Sequence, residues 1–150
     1  MEKINELINN KEFTLAKQEL LKILEEDEKN IEALKLLGLC HVNLGEFKDG
    51  QAVFETVVKY NDDATSWFYL ANCYDNQDDF LHAIAAYEEV LRMRSGYTDA
   101  YKNLAVVYVK NQEPQKAVET AQRALNNNCG FWFKLVVLLV FFDFFVFLSV

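Results

Sequence analysis

The chain has 150 residues, of which 51% are hydrophobic and 25% are charged. This length suits a single domain, and this balance excludes a disordered or a collagen-like chain. Asp and Glu (23) outnumber Lys and Arg (15), which gives a net charge of −8. Phosphate contacts need a basic face, so we expect no nucleic-acid partner. The three cysteines are too few, and odd in number, for a disulfide scaffold. They favour a reducing compartment, and we expect a cytoplasmic protein with no secretory address at Met1–Glu6.

Residues 1–30 read as an incomplete pair of helices. Only Ile4, Leu7 and Ile8 give apolar character to a short first helix, whereas a second helix over about 12–26 is complete. From residue 31 onward the pattern becomes longer and recurs.

Small residues recur along the chain at a nearly constant step. In one column they lie 33 and 34 residues apart, and in a second column the steps are 34, 33 and 34. The first column is Gly38, Ala71 and Ala105, and the second is Ala16, Gly50, Ala83 and Ala117. A repeat of this length indicates one supersecondary unit stacked several times.

Each unit is predicted to contain two amphipathic helices. In the unit that begins near Ala64, the residues Trp67, Leu70, Ala71 and Tyr74 fall at i, i+3, i+4 and i+7, which is one helical face. A polar turn over 75–79 follows, and a second apolar face begins at about residue 83. Antiparallel helices approach closely only where side chains are small, which explains the two columns.

These motifs resemble those of the tetratricopeptide repeat family. The family pattern is matched by Trp67-x-x-Leu70-Ala71-x-x-Tyr74 with Ala83 and Tyr87, and by Tyr101-x-x-Leu104-Ala105-x-x-Tyr108 with Ala117 and Ala124. The unit from about Ile31 departs modestly, with His41 for the Tyr and Gly50 for the Ala. The resemblance covers residues 1–128: a partial repeat at 1–30 and repeats at about 31–63, 64–97 and 98–128. It implies an all-α, right-handed superhelical solenoid of antiparallel helix pairs.

The resemblance also implies a concave groove lined by the first helix of each pair. By register the groove positions are Lys35, Leu36, Leu39, Asn43, Phe68, Tyr69, Asn72, Asp75, Asn76, Asp99, Lys102, Asn103, Val106 and Lys110. An amide side chain both donates and accepts, so Asn72 and Asn103 could hold the backbone of an extended peptide above an apolar floor of Phe68 and Tyr69. The alternative is that these are ordinary solvated positions.

We expect no specific carboxylate-binding, metal or catalytic site. In family members that bind C-terminal carboxylates, the binding site resembles a set of Lys and Asn residues that lie on the first helices of three repeats. Asn72 and Asn103 fit two of those places, but Phe68 stands where a Lys is needed, so we expect no working carboxylate clamp. Cys40 and Cys73 read as small buried apolar residues. No catalytic set has a local signature, and we expect no enzyme activity, metal or cofactor.

Residues 129–150 form an apolar tail with one Lys and one Asp. As a helix at ~1.5 Å per residue the tail would reach about 33 Å, enough to cross a bilayer. Asp143 would cost roughly 2.5–3.5 kcal/mol near the bilayer centre, which the Leu, Phe and Val residues could offset. Three interpretations stay open: a membrane anchor through 131–150, a truncation or readthrough product, and a last helix packed on the stack, which could force oligomerisation.

The sequence therefore predicts a non-catalytic interaction module or adaptor. Its partner would be a protein segment, either a peptide or a helix, held in the concave groove. The alternative function is a tail-anchored membrane assembly or targeting factor, or a co-chaperone-like factor.

Overall fold

A computed structural model describes residues 1–127, which form eight α-helices and no strand. The helices are α1 (Glu2–Asn9), α2 (Phe13–Glu26), α3 (Ile31–Asn43), α4 (Phe47–Tyr60), α5 (Ala64–Asp75), α6 (Phe80–Met93), α7 (Thr98–Lys110) and α8 (Pro114–Asn126). The all-α prediction is confirmed for this part of the chain. Helix α1 has 8 residues, whereas the other helices have 12 to 14.

The helices pair into four hairpins that turn in the same way. Two residues before the second helix of each hairpin, one residue adopts a left-handed conformation with φ of 58° to 75°. These residues are Lys11, Gly45, Asp78 and Gln112. In the second hairpin the Gly45 amide donates to Val42 and the Glu46 amide donates to His41. The other three hairpins repeat both bonds, which together form a Schellman motif. Only Gly45 is a glycine, so the sequence marks one of these turns clearly.

Side chains that precede three of the helices cap their first turns. Asn30 accepts from the Ala33 amide at 3.0 Å, and Asp63 accepts from the Thr65 and Ser66 amides at 3.1 Å. Asp79 caps α6 through the His82 amide at 3.4 Å. Each cap satisfies backbone N–H donors that the first turn of a helix leaves unpaired.

The two helices of a hairpin meet at the predicted small residues. A Cβ added to Gly38 would lie 2.7 Å from the Phe54 ring atoms Cε2 and Cζ, so the ring occupies the space that a side chain would need. One repeat further on, Ala71 and Tyr87 hold the equivalent places, and both are completely buried in one core cluster. The ring of the second helix thus fills the gap beside the small residue of the first.

Consecutive hairpins pack one behind the next through α2 against α3, α4 against α5, and α6 against α7. Polar pairs bridge the second helices as well. Lys17 on α2 bonds Glu46 at the start of α4 at 2.7 Å, and Arg123 on α8 bonds Glu88 on α6 at 2.6 Å. Each hairpin therefore buries its apolar surface against its neighbours, as stacked repeats do.

None of the helices within residues 1–127 is long and apolar enough to cross a membrane. The tail at 129–150, with its three interpretations, lies outside the described residues.

We predict that Gly38→Val destabilises the fold, because two methyl groups would be forced against the buried Phe54 ring. Overpacking of this kind costs ~1–3 kcal/mol of unfolding free energy, measurable by urea denaturation. The matched control is Gly96→Val, since a Cβ at Gly96 meets nothing within 4 Å. The control should change stability by less than ~0.5 kcal/mol. Equal losses in both variants would contradict the packing described for Gly38.

Candidate peptide-binding groove

The first helices of three hairpins, α3, α5 and α7, are joined side by side through polar contacts. Lys35 on α3 bonds Asp63 at the start of α5 at 2.8 Å. Lys110 near the end of α7 bonds Asp75 at the end of α5 at 2.7 Å, and Asn103 Nδ2 donates to Asn72 Oδ1 at 3.0 Å. These contacts bring together residues of three repeats that are far apart in sequence. We call the set of positions predicted from the repeat register the groove face.

Aromatic rings form the centre of the groove face. The Phe68 ring stacks on Tyr97 with centroids 5.0 Å apart, and it meets Tyr69 and Tyr87 edge-on at 5.9 Å. Tyr69 stacks on Phe54 at 5.4 Å. Phe68 and Tyr69 are each half-buried, so part of each ring stays available as apolar surface. Sequence reasoning missed Tyr97, which lies in the turn before α7 and carries no repeat signal.

Asn72, Tyr87 and Asn103 form a hydrogen-bonded triad at the junction of α5, α6 and α7. The Tyr87 hydroxyl donates to Asn72 Oδ1 at 2.5 Å. Asn103 Nδ2 donates to the same oxygen at 3.0 Å and to the Tyr87 hydroxyl at 3.2 Å. Burial raises the pKa of Tyr87, so its hydroxyl stays protonated and donates at neutral pH. The triad therefore fixes which way both amides point.

The orientation of the amides leaves two of their atoms without an internal partner. Asn72 Nδ2 and Asn103 Oδ1 take part in no hydrogen bond within residues 1–127, whereas Asn72 Oδ1 and Asn103 Nδ2 are both used. No fully buried side-chain nitrogen or oxygen of the described residues lacks a partner, so each of these two atoms is at least partly accessible to solvent. The pair presents one donor group from α5 and one acceptor from α7.

The other two predicted asparagines are bound more locally. Asn43 Nδ2 donates to the Leu39 carbonyl and Asn76 Nδ2 donates to the Asn72 carbonyl, each at 2.8 Å. Both residues are exposed, Asn43 as the last residue of α3 and Asn76 directly after α5, and each amide bonds the residue four positions earlier in its own helix. Of the four predicted asparagines, only Asn72 and Asn103 are linked across repeats.

The three lysines of the groove face are all paired with aspartates. Lys35 bonds Asp63, Lys110 bonds Asp75, and Lys102 bonds Asp99 at 3.0 Å. Burial raises the pKa of Asp63, but hydrogen bonds from Lys35 and Ser66 outweigh burial, so that pKa lies below its ordinary value. The Lys35–Asp63 pair is therefore present at neutral pH and is lost only as the pH falls through the lowered pKa.

Aliphatic side chains complete the groove face on both sides of the aromatic rings. Leu36 and Leu39 on α3 are half-buried. Val106 on α7 is 48% exposed, and Val109, three residues further along, is 56% exposed. The repeat register predicted Val106 as a groove position but did not predict Val109. Two exposed valines on one helix face are apolar surface that a partner could cover.

Tetratricopeptide repeat profiles match residues 36–81 and 76–128, and together they span more than half of the chain. The chain belongs to the tetratricopeptide repeat (TPR) family. The resemblance read from Trp67, Leu70, Ala71 and Tyr74 is thereby confirmed.

Solved TPR structures superpose on most of the chain. A crystal structure of MamA has a TM-score of 0.81 at 25% identity and covers 87% of this chain and 77% of its own. YrrB, described as a TPR protein with an unusual peptide-binding site, has a TM-score of 0.80 at 22% identity and covers 88% of this chain and 69% of its own. These similarities establish the fold.

Curated relatives match a shorter stretch. The photosystem I assembly protein Ycf3 of Synechococcus sp. (strain CC9902) is 38% identical over 56 residues, and that of Parasynechococcus marenigrum (strain WH8102) matches equally. The match spans 35% of this chain and 32% of either relative. The matched stretch of this TPR chain therefore spans about a third of the length of Ycf3.

One group of side chains on the TPR scaffold could ligate a metal by spacing alone. Ligand atoms of His41, Glu46 and Asp49 lie within 4.8 Å of one another. Lys17 Nζ already bonds both Glu46 oxygens at 2.8 and 2.7 Å, and His41 Nδ1 lies 2.6 Å from Oε2. These bonds hold the pKa of Glu46 below its ordinary value. Glu46 is thus already bonded to a lysine cation and to His41, and these bonds link α2, α3 and the start of α4.

The two cysteines of the described helices are poor nucleophiles. Cys40 and Cys73 are completely buried, and burial raises the pKa of their thiols to about 11 and about 12. Both remain thiols at neutral pH, and the thiolate is the reactive form. The prediction that they serve as small core residues agrees with their burial.

We predict that Cys40 and Cys73 resist iodoacetamide at pH 8 in the folded protein and react once guanidinium chloride unfolds it. Peptide mass spectrometry would follow each thiol separately. Rapid alkylation of either residue in the native state would contradict the burial described for it.

We also predict that Asn72→Ala and Asn72→Asp differ in stability. Alanine leaves the Tyr87 hydroxyl without its acceptor, which costs ~1–3 kcal/mol of unfolding free energy for a buried donor. Aspartate keeps an oxygen for both Tyr87 and Asn103, so its loss should be smaller. Chemical denaturation measures both, and a larger loss for aspartate than for alanine would contradict the triad.

Proposed function

We propose that this TPR chain is a non-catalytic adaptor that binds a segment of another protein in an extended form along its groove face. In this proposal the hairpins curve into a right-handed superhelix whose concave side is the groove face. The observation that carries the proposal is the fixed amide pair, with a donor at Asn72 Nδ2 and an acceptor at Asn103 Oδ1.

The amide pair suits the backbone of a peptide whatever its side chains. Each peptide residue carries one N–H donor and one C=O acceptor, and both need partners when water is excluded. Asn103 Oδ1 would accept from the N–H, and Asn72 Nδ2 would donate to the C=O. Because the triad already orients both amides, binding would cost little side-chain entropy.

The apolar part of the groove face supplies affinity in the proposal. Phe68 and Tyr69 offer half-buried rings, and Val106 offers an exposed aliphatic side chain beside Asn103. Burial of apolar area contributes roughly 25 cal/mol per Å², whereas the amides select an extended backbone. The remaining predicted positions, Leu39, Asn43, Asn76 and the three lysines, would form the rim.

The relatives support such a role without fixing the partner. YrrB is described by its peptide-binding site, and Ycf3 is described as an assembly protein. The Ycf3 similarity favours a second candidate function, in which the chain holds a subunit during assembly of a larger complex. Tethering of such a factor to a membrane through 131–150 is a further alternative. Buried free thiols fit a reducing compartment, and we place the chain in the cytoplasm.

The test is selection of a phage-displayed dodecapeptide library on the full chain, followed by fluorescence anisotropy with the selected synthetic peptides. Asn72→Asp keeps the internal bonds and replaces the outward donor by an acceptor. It should weaken peptide binding about tenfold, which is ~1.4 kcal/mol. The matched control is Asn126→Asp on α8, which also keeps an accepted hydrogen bond, from Gln122.

The control should bind peptides like the parent protein. Failure to select any peptide would contradict the proposed function. Equal affinities for Asn72→Asp and Asn126→Asp would show that selected peptides bind away from the amide pair.

A further inference from the structure

Taking the proposed peptide groove as given, we infer that it selects for segments with an apolar centre and basic flanks, and that it rejects acidic segments and free C-terminal carboxylates. The observation behind this inference is that every lysine of the groove face is paired with an aspartate: Lys110 with Asp75 and Lys102 with Asp99 of the same face, and Lys35 with Asp63 at the start of α5. The partner is therefore a protein segment rich in Leu, Phe, Tyr or Val and bordered by Lys or Arg.

The pairing removes the lysines as anchors for an anion. Lys110 lies 2.7 Å from Asp75 and Lys35 lies 2.8 Å from Asp63. A ligand carboxylate would have to break one of these bonds in order to form its own, so the number of ion pairs would not rise. The released aspartate would then face the incoming carboxylate, and like charges in contact oppose binding.

Asp75 makes this rejection strongest next to the amide pair. Its side chain is only 16% exposed, and it lies one helical turn from Asn72 on α5. A carboxylate that approached Asn72 Nδ2 would meet Asp75 on the same face. A backbone carbonyl carries no net charge and meets no such opposition.

Groove-side carboxylates also outnumber the lysines. Glu32 holds the position in α3 that Asp99 holds in α7, it is exposed, and it is absent from the ion pairs of the described residues. Lys35, Lys102 and Lys110 thus face four carboxylates, in a chain whose net charge is −8. A Lys or Arg in the flank of a peptide could form an ion pair with Glu32, and it could also contact the largely exposed Asp99. The negative electrostatic potential of the chain would raise the association rate of such a peptide.

The test uses fluorescein-labelled, C-terminally amidated dodecapeptide pools. Their six central positions are mixed among Leu, Phe, Tyr and Val, and their flanks are either all Lys or all Glu. A third pool has Ser flanks and is made with and without amidation. Anisotropy titrations at 150 mM salt compare the full parent chain with Asp75→Asn, Glu32→Gln and Glu119→Gln. The last variant removes the same charge from α8, away from the groove face.

The parent should bind the Lys-flanked pool at least about tenfold more tightly than the Glu-flanked pool. Amidation of the Ser-flanked pool should not weaken binding. Asp75→Asn releases Lys110, so the ratio of the Kd for the Glu-flanked pool to the Kd for the Lys-flanked pool should fall at least about threefold. Glu32→Gln should lower the same ratio. Glu119→Gln should leave it unchanged.

Different failures have different meanings. If no pool binds the parent, the proposed peptide groove is wrong. If peptides bind but the Glu-flanked or free-carboxylate pool is preferred, the groove stands and the charge selection is overturned. An equal fall of the Glu-to-Lys Kd ratio in all three variants would also overturn the charge selection, because the discrimination would then come from the overall charge of the chain. The melting temperature of Asp75→Asn is first compared with that of the parent. If Asp75→Asn does not fold, Glu32→Gln provides the same test.

Discussion

Close contact between an aromatic ring and a residue with little or no side chain holds the second and third hairpins together. Gly38 leaves room for the Phe54 ring, and Ala71 and Tyr87 occupy the same places one repeat later. The ring of Tyr87 is completely buried, yet its hydroxyl reaches Asn72 and Asn103. The packing that stabilises the hairpin therefore also sets the polar chemistry of the groove face.

The groove face depends on several repeats at once. Helix α5 supplies Phe68, Asn72 and Asp75, but the partners that orient them come from α6 and α7. A single α5–α6 hairpin would keep the bond from Tyr87 to Asn72, but it would lack Asn103 and would leave Asp75 without its cation. The site is thus a property of the stack, in which each interface between hairpins fixes the side chains that a ligand would meet.

The sequence was sufficient for the helices and the order of the hairpins, because the columns at Gly38 and Ala71 report local packing that repeats. It did not mark the turns at Lys11, Asp78 and Gln112, since these residues adopt a left-handed conformation without being glycine. It also counted Tyr87 only as a core residue. The contact of a hydroxyl with amides 15 and 16 residues away is set by the tertiary packing of three helices, and no period in the sequence reports it.

Side-chain amide resonances of Asn72 and Asn103 would measure most directly how the triad divides its hydrogen-bonding groups. In ¹⁵N-labelled full-length protein, Asn103 Nδ2 donates internally to Asn72 Oδ1 and to the Tyr87 oxygen, whereas Asn72 Nδ2 makes no hydrogen bond within residues 1–127. On addition of a bound peptide, the Asn72 amide protons should shift strongly and exchange more slowly with water. The Asn103 amide proton that points at the Asn72 and Tyr87 oxygens should already exchange slowly before the peptide is added. An Asn72 resonance that does not move, together with rapid exchange of both Asn103 amide protons in the free protein, would contradict the fixed pair.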